Sequence, residues 1–234
     1  MLKKAVKFFS GELSNWRCWE IFYTAGCTGA IAIISIIMGE NWLGIASAVT
    51  GTLYTLLAGK GKISCYFFGI FNSAAYGYIA FGQKLYGDAV MNWVWYLPMM
   101  FTGIICWRRR MDQESCVIKS RLSCRGRILT VFLSLTGIVI FAFVLRKSGD
   151  SQPFVDASTT VLSVTAMILT VKRCVEQWLG WMLVNAISVG MWLKVYLTNG
   201  NSIATLLWWL IMLITGMIFF IQWSMELKRA EKVN

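Results

Sequence analysis

Apolar residues in this chain come in long blocks, without the two-residue alternation of strands and without the single stripe of a helix on a soluble surface. The blocks run approximately Ile21 to Met38, Trp42 to Ala58, Ile63 to Phe81, Ala89 to Trp107, Ile128 to Leu145, Val155 to Val171, Trp178 to Leu197 and Ile203 to Trp223. About 20 apolar residues in a helix cross a bilayer's hydrocarbon core, with a working range of about 17 to 25. The pattern therefore predicts an all-α integral membrane protein with eight transmembrane helices. Most connections are short and carry turn residues, as in Gly39-Glu40-Asn41, Gly59-Lys60-Gly61-Lys62 and Asn199-Gly200-Asn201. Neighbouring spans are thus expected to be antiparallel hairpins, and only the segment from Arg108 to Arg127 is long.

Composition agrees: 57% of residues are hydrophobic and 14% charged, with a mean hydropathy of +0.61, against about a quarter charged in ordinary soluble domains. A net charge of +11 would suggest nucleic acid in a soluble protein, but here the basic residues cluster at span ends. Of the 22 Lys and Arg, 18 fall on the side of the N-terminus, three (Lys84, Arg146, Lys147) on the other, and Lys194 lies within a span. The positive-inside rule then puts both termini in the cytoplasm, and no nucleic-acid partner is expected. Residues Met1 to Ser10 have too short an apolar run for a signal peptide and are expected to remain attached as a surface-lying helix.

The seven cysteines form no CxxC pair, and there is no histidine. The first observation argues against a disulfide framework; Cys116 and Cys124 in the long loop are read as free thiols. The second removes the commonest general base and metal ligand, so no cofactor or metal is expected and the chain is not read as an enzyme. An intramembrane enzyme is kept only as a remote alternative.

Shifting the sequence against itself by 113 positions aligns Lys62 to Trp107 with Val175 to Phe220, and nine of the 46 positions are identical. Matches include Asn72 with Asn185, Gly77 with Gly190, Gly87 with Gly200, Trp95 with Trp208, and the Thr-Gly pairs at 102 and 215. This predicts two parallel three-helix halves joined by one helix, a 3+1+3 plan, plus an extra N-terminal helix. The chain divides into a cytoplasmic N-terminal segment (1–20), an accessory helix (21–40), a first three-helix half (41–107), a basic cytoplasmic loop (108–127), a linker helix (128–145), a second three-helix half (153–223) and a cytoplasmic tail (224–234). Transporters of such a plan hold substrate near the membrane midplane between halves and work by alternating access.

Ionisable groups are scarce within the spans: Asp88 and Asp156 sit at edges, Glu176 opens the seventh span, and Lys194 is near an end, where it is read as snorkelling to the interface. Ion-coupled carriers use intramembrane carboxylates, so uncoupled transport is expected. The spans do carry aromatic rings interleaved with amides: Asn72, Tyr76, Asn92, Trp93, Trp95, Trp178, Trp181, Asn185, Trp192, Trp208 and Trp209. Trp178, Trp181 and Asn185 fall at i, i+3 and i+7, one helix face, where two indoles can stack on a flat ring while the amide pairs with its substituent. A cationic ring would gain a further cation–π attraction. Trp is also enriched at membrane interfaces and Asn also braces helices, so belt and bracing roles stand beside this one.

Two segments, Lys62-Ile63-Ser64-Cys65-Tyr66-Phe67-Phe68-Gly69-Ile70-Phe71-Asn72 and Val175-Glu176-Gln177-Trp178-Leu179-Gly180-Trp181 through Asn185-Ala186-Ile187-Ser188-Val189, resemble the PnuC nicotinamide riboside transporters. The segment Val161 to Leu169 and the turn Leu85-Tyr86-Gly87-Asp88 are similar as well. The resemblance implies a bacterial plasma-membrane protein with a SWEET-like fold of full-length 3+1+3 halves, assembled as a homotrimer. It implies uptake of nicotinamide riboside down its gradient, with a cytoplasmic kinase trapping the product. Carried over residue by residue, Trp178, Trp181 and Asn185 look like the family's binding face, with Asn72 and Asn92 as polar partners from the other half; Tyr76 and Trp208 join them as candidate substrate-binding residues from the aromatic and amide pattern of the spans alone. Two positions depart from the family pattern: Gln177, where relatives carry Asn, and Met100, where several carry Gln. A same-family carrier for thiamine or another vitamin is the alternative reading.

Overall fold

The computed structural model describes residues 11, 12, 14, 16–112, 115–199 and 203–233. The expected surface-lying helix at Met1 to Ser10, and Gly200 and Asn201 of the third predicted turn, lie outside them. Eight helices run through the described residues: α1 (Cys18–Ile37), α2 (Trp42–Lys60), α3 (Cys65–Gly82), α4 (Tyr86–Arg108), α5 (Cys124–Lys147), α6 (Pro153–Val171), α7 (Gln177–Asn199) and α8 (Ile203–Val233). Each coincides with one predicted apolar block. Seven are long and apolar enough to cross a membrane. The exception, α3, has 18 residues and no charge, and carries the polar groups of Asn72, Ser73 and three tyrosines.

Helix ends follow local chemistry. Asn41 caps α2 by accepting from the Gly44 N–H at 2.9 Å, and Ser123 caps α5 by accepting from the Gly126 N–H at 3.1 Å. Helix α2 stops where Gly61 turns left-handed (φ 79°), the Lys62 N–H reaching back to the Leu57 carbonyl at 2.9 Å. Helix α6 stops in the same geometry on Arg173 (φ 63°), with the Cys174 N–H on Leu169 at 2.9 Å. The α8 helix continues past the apolar block ending at Trp223 because Met225 to Lys232 are mostly strong helix formers. That extension is tied by Lys119 to Glu226 and by Arg121 to Glu231 at 3.7 Å.

The chain divides into two units, Met1–Ile118 and Lys119–Asn234. In the first, α1 packs on α2, α2 on α3 and α3 on α4; in the second, α5 packs on α6, α6 on α7 and α7 on α8. The helix read as accessory and the helix read as linker therefore hold corresponding places in their own units.

Small residues set close approach in the first unit. A methyl at Gly103 on α4 would fall within the ring of Tyr66 on α3, and Tyr66 in turn meets Trp107 edge-on at 5.0 Å. Ser47 on α2 donates to Asn72 on α3 at 2.9 Å, and Gly51 leaves room for that amide. At one end of this unit, Lys60 pairs with Glu20 at 2.5 Å, both side chains buried. In the second unit, Ser134 and Thr165 join α5 to α6 at 3.1 Å, and Gly180 on α7 packs against Ala166 on α6. Helix α5 exposes Ile128, Leu129, Val131, Phe132, Leu133, Leu135, Val139, Ile140 and Phe143, a surface suited to lipid.

The long connecting segment is ordered by backbone hydrogen bonds in both units. In the first, the Val117 N–H donates to the Gly61 carbonyl at 2.9 Å; in the second, the Ser120 N–H donates to Arg173 and the Val175 N–H to Ser120, both at 2.9 Å. Each pairing engages a left-handed helix stop.

Candidate functional site

The three α7 residues keep their i, i+3, i+7 spacing but meet different surroundings. Trp178 is 2% exposed, with Phe219 at 5.2 Å and Trp223 edge-on at 5.8 Å. Enclosed by these α8 rings, it packs α7 onto α8 and presents no open ring face. Trp181 is half-buried, and its indole N–H donates to Thr170 on α6 at 3.2 Å, which fixes the plane of the ring. Asn185 is buried, and no hydrogen bond to its amide is found among the described residues. An amide without partners in a helical interior has capacity for a ligand's polar substituent.

In the first unit, Asn72 is engaged by Ser47, as a bracing residue would be. Its repeat counterpart Asn185 has no such bond, so identity in the repeat does not carry identity of environment. Tyr76 is 43% exposed on the surface of α3. Asn92 is buried and donates from Nδ2 to the Asp88 carbonyl at 2.9 Å. Trp208 is half-buried, T-stacked on Trp209 at 4.6 Å, and its indole N–H meets no acceptor among the described residues.

Asn92 lies in a feature the apolar pattern did not reveal: Met91–Tyr96 is a π-helical segment inside α4. The signal was Pro98, which can donate no hydrogen bond to Val94 and whose ring crowds that carbonyl. Widening the preceding turn relieves the clash, and π segments of this kind recur at functional sites. Met100, one of the two departures from the family pattern, is buried against Gly69 of α3 and offers a thioether rather than an amide.

Charged groups gather at the helix ends. Glu176 accepts from the Leu122 N–H at 3.2 Å and from Arg127 at 2.9 Å, tying the start of α7 to the segment leading into α5. Glu12 bonds Ser64, and burial holds its carboxyl above the ordinary glutamate value, partly offset by that bond and by Lys62. Among the described residues, no group of three or more His, Cys, Asp or Glu could hold a metal ion.

Comparison with known proteins identifies the scaffold that carries these residues. Residues 41–225, from α2 into α8, match the family model described as nicotinamide mononucleotide transporter. A protein of Neisseria mucosa named nicotinamide riboside transporter PnuC is 31% identical over 221 residues, covering 92% of this chain and 84% of the relative. A protein of the same name from Haemophilus influenzae is 32% identical over 183 residues, covering 77% of this chain and 81% of the relative. The structure described as the crystal structure of the vitamin B3 transporter PnuC matches with a TM-score of 0.80 at 30% identity, covering 95% of this chain and 98% of that one. All three are named as transporters. This chain belongs to the nicotinamide mononucleotide transporter family, the PnuC proteins, and is a multi-pass membrane transporter, not an enzyme.

Proposed function

We propose that this protein imports nicotinamide riboside by facilitated diffusion, through alternating access and without ion coupling, and that a cytoplasmic kinase drives net uptake by phosphorylating the product. The observation that carries this reading is the pairing of a plane-fixed indole, Trp181, with the buried amide of Asn185 one helical turn away on α7. A pyridinium ring stacked on the indole gains dispersion and cation–π attraction, and its carboxamide suits an amide partner. Asn72, Tyr76, Asn92 and Trp208 are the further contacts of this proposal, and Trp178 acts from beneath by holding α7 on α8.

Absence of ion coupling is supported by where the carboxylates lie. Asp88 and Asp156 sit in the first turns of α4 and α6, and Glu20, in the first turn of α1, is neutralised by Lys60. The assembly is proposed as a homotrimer in a bacterial plasma membrane, with both termini cytoplasmic.

Purified protein in liposomes tests this. With the membrane potential clamped at zero, labelled nicotinamide riboside equilibrates across the membrane, imposed proton or sodium gradients leave the rate unchanged, and accumulation appears only with a riboside kinase and ATP inside. Folded protein that fails to equilibrate the riboside refutes the reading. Competition with thiamine tests the second substrate.

A further inference from the structure

Other tryptophan side chains in this chain show how their N–H groups are satisfied: Trp16 donates to Glu12 at 2.8 Å, Trp93 to Ala74 at 3.2 Å and Trp181 to Thr170 at 3.2 Å. Trp95 and Trp208 are different. The indole nitrogen of each is sealed from solvent and meets no acceptor among the described residues. The two residues are repeat counterparts, identical across the 113-position shift, and each stands on the last helix of its own unit. Trp178 also meets no acceptor among the described residues, but its counterpart is Cys65, so it has no such partner in the repeat.

An indole N–H buried without an acceptor is unfavourable, and in hydrocarbon no water relieves it. Packing alone could be met by apolar side chains that carry no donor, such as phenylalanine with a neighbour enlarged to fill the space. Trp95 also lies in the π segment Met91–Tyr96, which Pro98 accounts for, whereas the corresponding stretch of α8, with Ile211 in the place of Pro98, is regular α-helix. The widened turn is thus placed at one of the two stranded donors.

We propose that Trp95 and Trp208 are N–H donors that read oxygen acceptors of the transported nucleoside as it passes each unit. The ligand class is an uncharged oxygen acceptor, either the carboxamide carbonyl or the ribose hydroxyls. This inference rests on the transport reading above and adds to it a specificity role for Trp95 and a defined bond for Trp208.

The test is calorimetric binding of nicotinamide riboside to full-length protein in detergent, for wild type, Trp95→Phe and Trp208→Phe, with thermal unfolding measured alongside. Each substitution is expected to weaken binding about tenfold; the smaller phenyl ring also leaves a cavity that lowers the unfolding temperature, so the near-isosteric benzothienylalanine, which removes only the N–H, is measured at both positions and is expected to give the same loss of binding with unfolding unchanged or raised. A riboside without its carboxamide and one without its 2′-hydroxyl separate the two acceptors: the analogue lacking the contacted oxygen binds wild type more weakly and is not weakened further by the substitution. Where a Phe variant does not fold, the benzothienylalanine protein alone carries the comparison. Unchanged affinity in both variants, with wild type binding normally, overturns this inference alone. Wild type that binds no riboside overturns the transport reading and this inference together.

Discussion

Asparagine in a membrane helix can brace a neighbour, meet a ligand or do both, and the pair at 72 and 185 differs in the first of these. Asn72 is bonded to Ser47, so Asn72→Ala and Ser47→Ala should lower the unfolding temperature in detergent by similar amounts. Their double mutant should show a coupling of about 0.6 kcal/mol, the average for interhelical bonds in membranes. Asn185→Ala should leave unfolding unchanged and weaken riboside binding; the reverse result would reassign it as a brace. The glycines divide in the same way. Gly77 and Gly190 are repeat counterparts, yet a methyl at Gly77 would collide with the Trp93 indole while one at Gly190 meets nothing within 4 Å. Gly77→Ala is expected to destabilise by about 1–3 kcal/mol through overpacking, and Gly190→Ala to be neutral or mildly stabilising through helix propensity, both read by thermal unfolding. The spacing of Trp178, Trp181 and Asn185 was legible in the sequence, because spacing on a helix follows from its pitch. What covers each side chain was not, since Phe219, Trp223 and Thr170 come from other helices.

Among the elements, α1 is held to α2 by a buried ion pair that no apolar pattern could show. Removing one member strands the other charge, so Glu20→Gln should cost about 3–5 kcal/mol and show as loss of folded protein on size-exclusion chromatography. Replacing both Glu20 and Lys60 with apolar residues of similar volume should recover most of it. The segment before α1 gives a pH dependence. Glu12 has its carboxyl raised by burial, so the native state binds its proton more tightly than the unfolded state does. Its contribution to stability is therefore fully present below the ordinary glutamate value and is lost as pH rises through the raised value. Protection of this segment from proteolysis should increase as pH is lowered through that window, and Glu12→Gln should flatten the response. Helix α4 shows how an element can be placed correctly and still be misread inside: its ends follow from apolar length, whereas its π segment follows from the local backbone crowding created by Pro98.

For the whole molecule, the distribution of Lys and Arg predicts which side each loop occupies. Cys124 is exposed at the start of α5, on the side assigned to the N-terminus. Retained as the sole cysteine, it should react with a membrane-impermeant thiol reagent in inside-out vesicles and not in right-side-out ones. The opposite result would invert the topology. Eight apolar blocks, their approximate ends, the family motifs and the transporter class could all be read from the sequence by itself. Burial in hydrocarbon and the positive-inside bias act along one dimension, so local composition is sufficient for them. Only the tertiary structure decided that, among the described residues, each unit packs four long helices in chain order, that Trp178 is enclosed while Trp181 is anchored by Thr170, and that Trp95 and Trp208 hold donors without acceptors. Those facts depend on residues far apart in the chain meeting through close packing and directional hydrogen bonds, and neither hydropathy nor periodicity encodes which partner will be there.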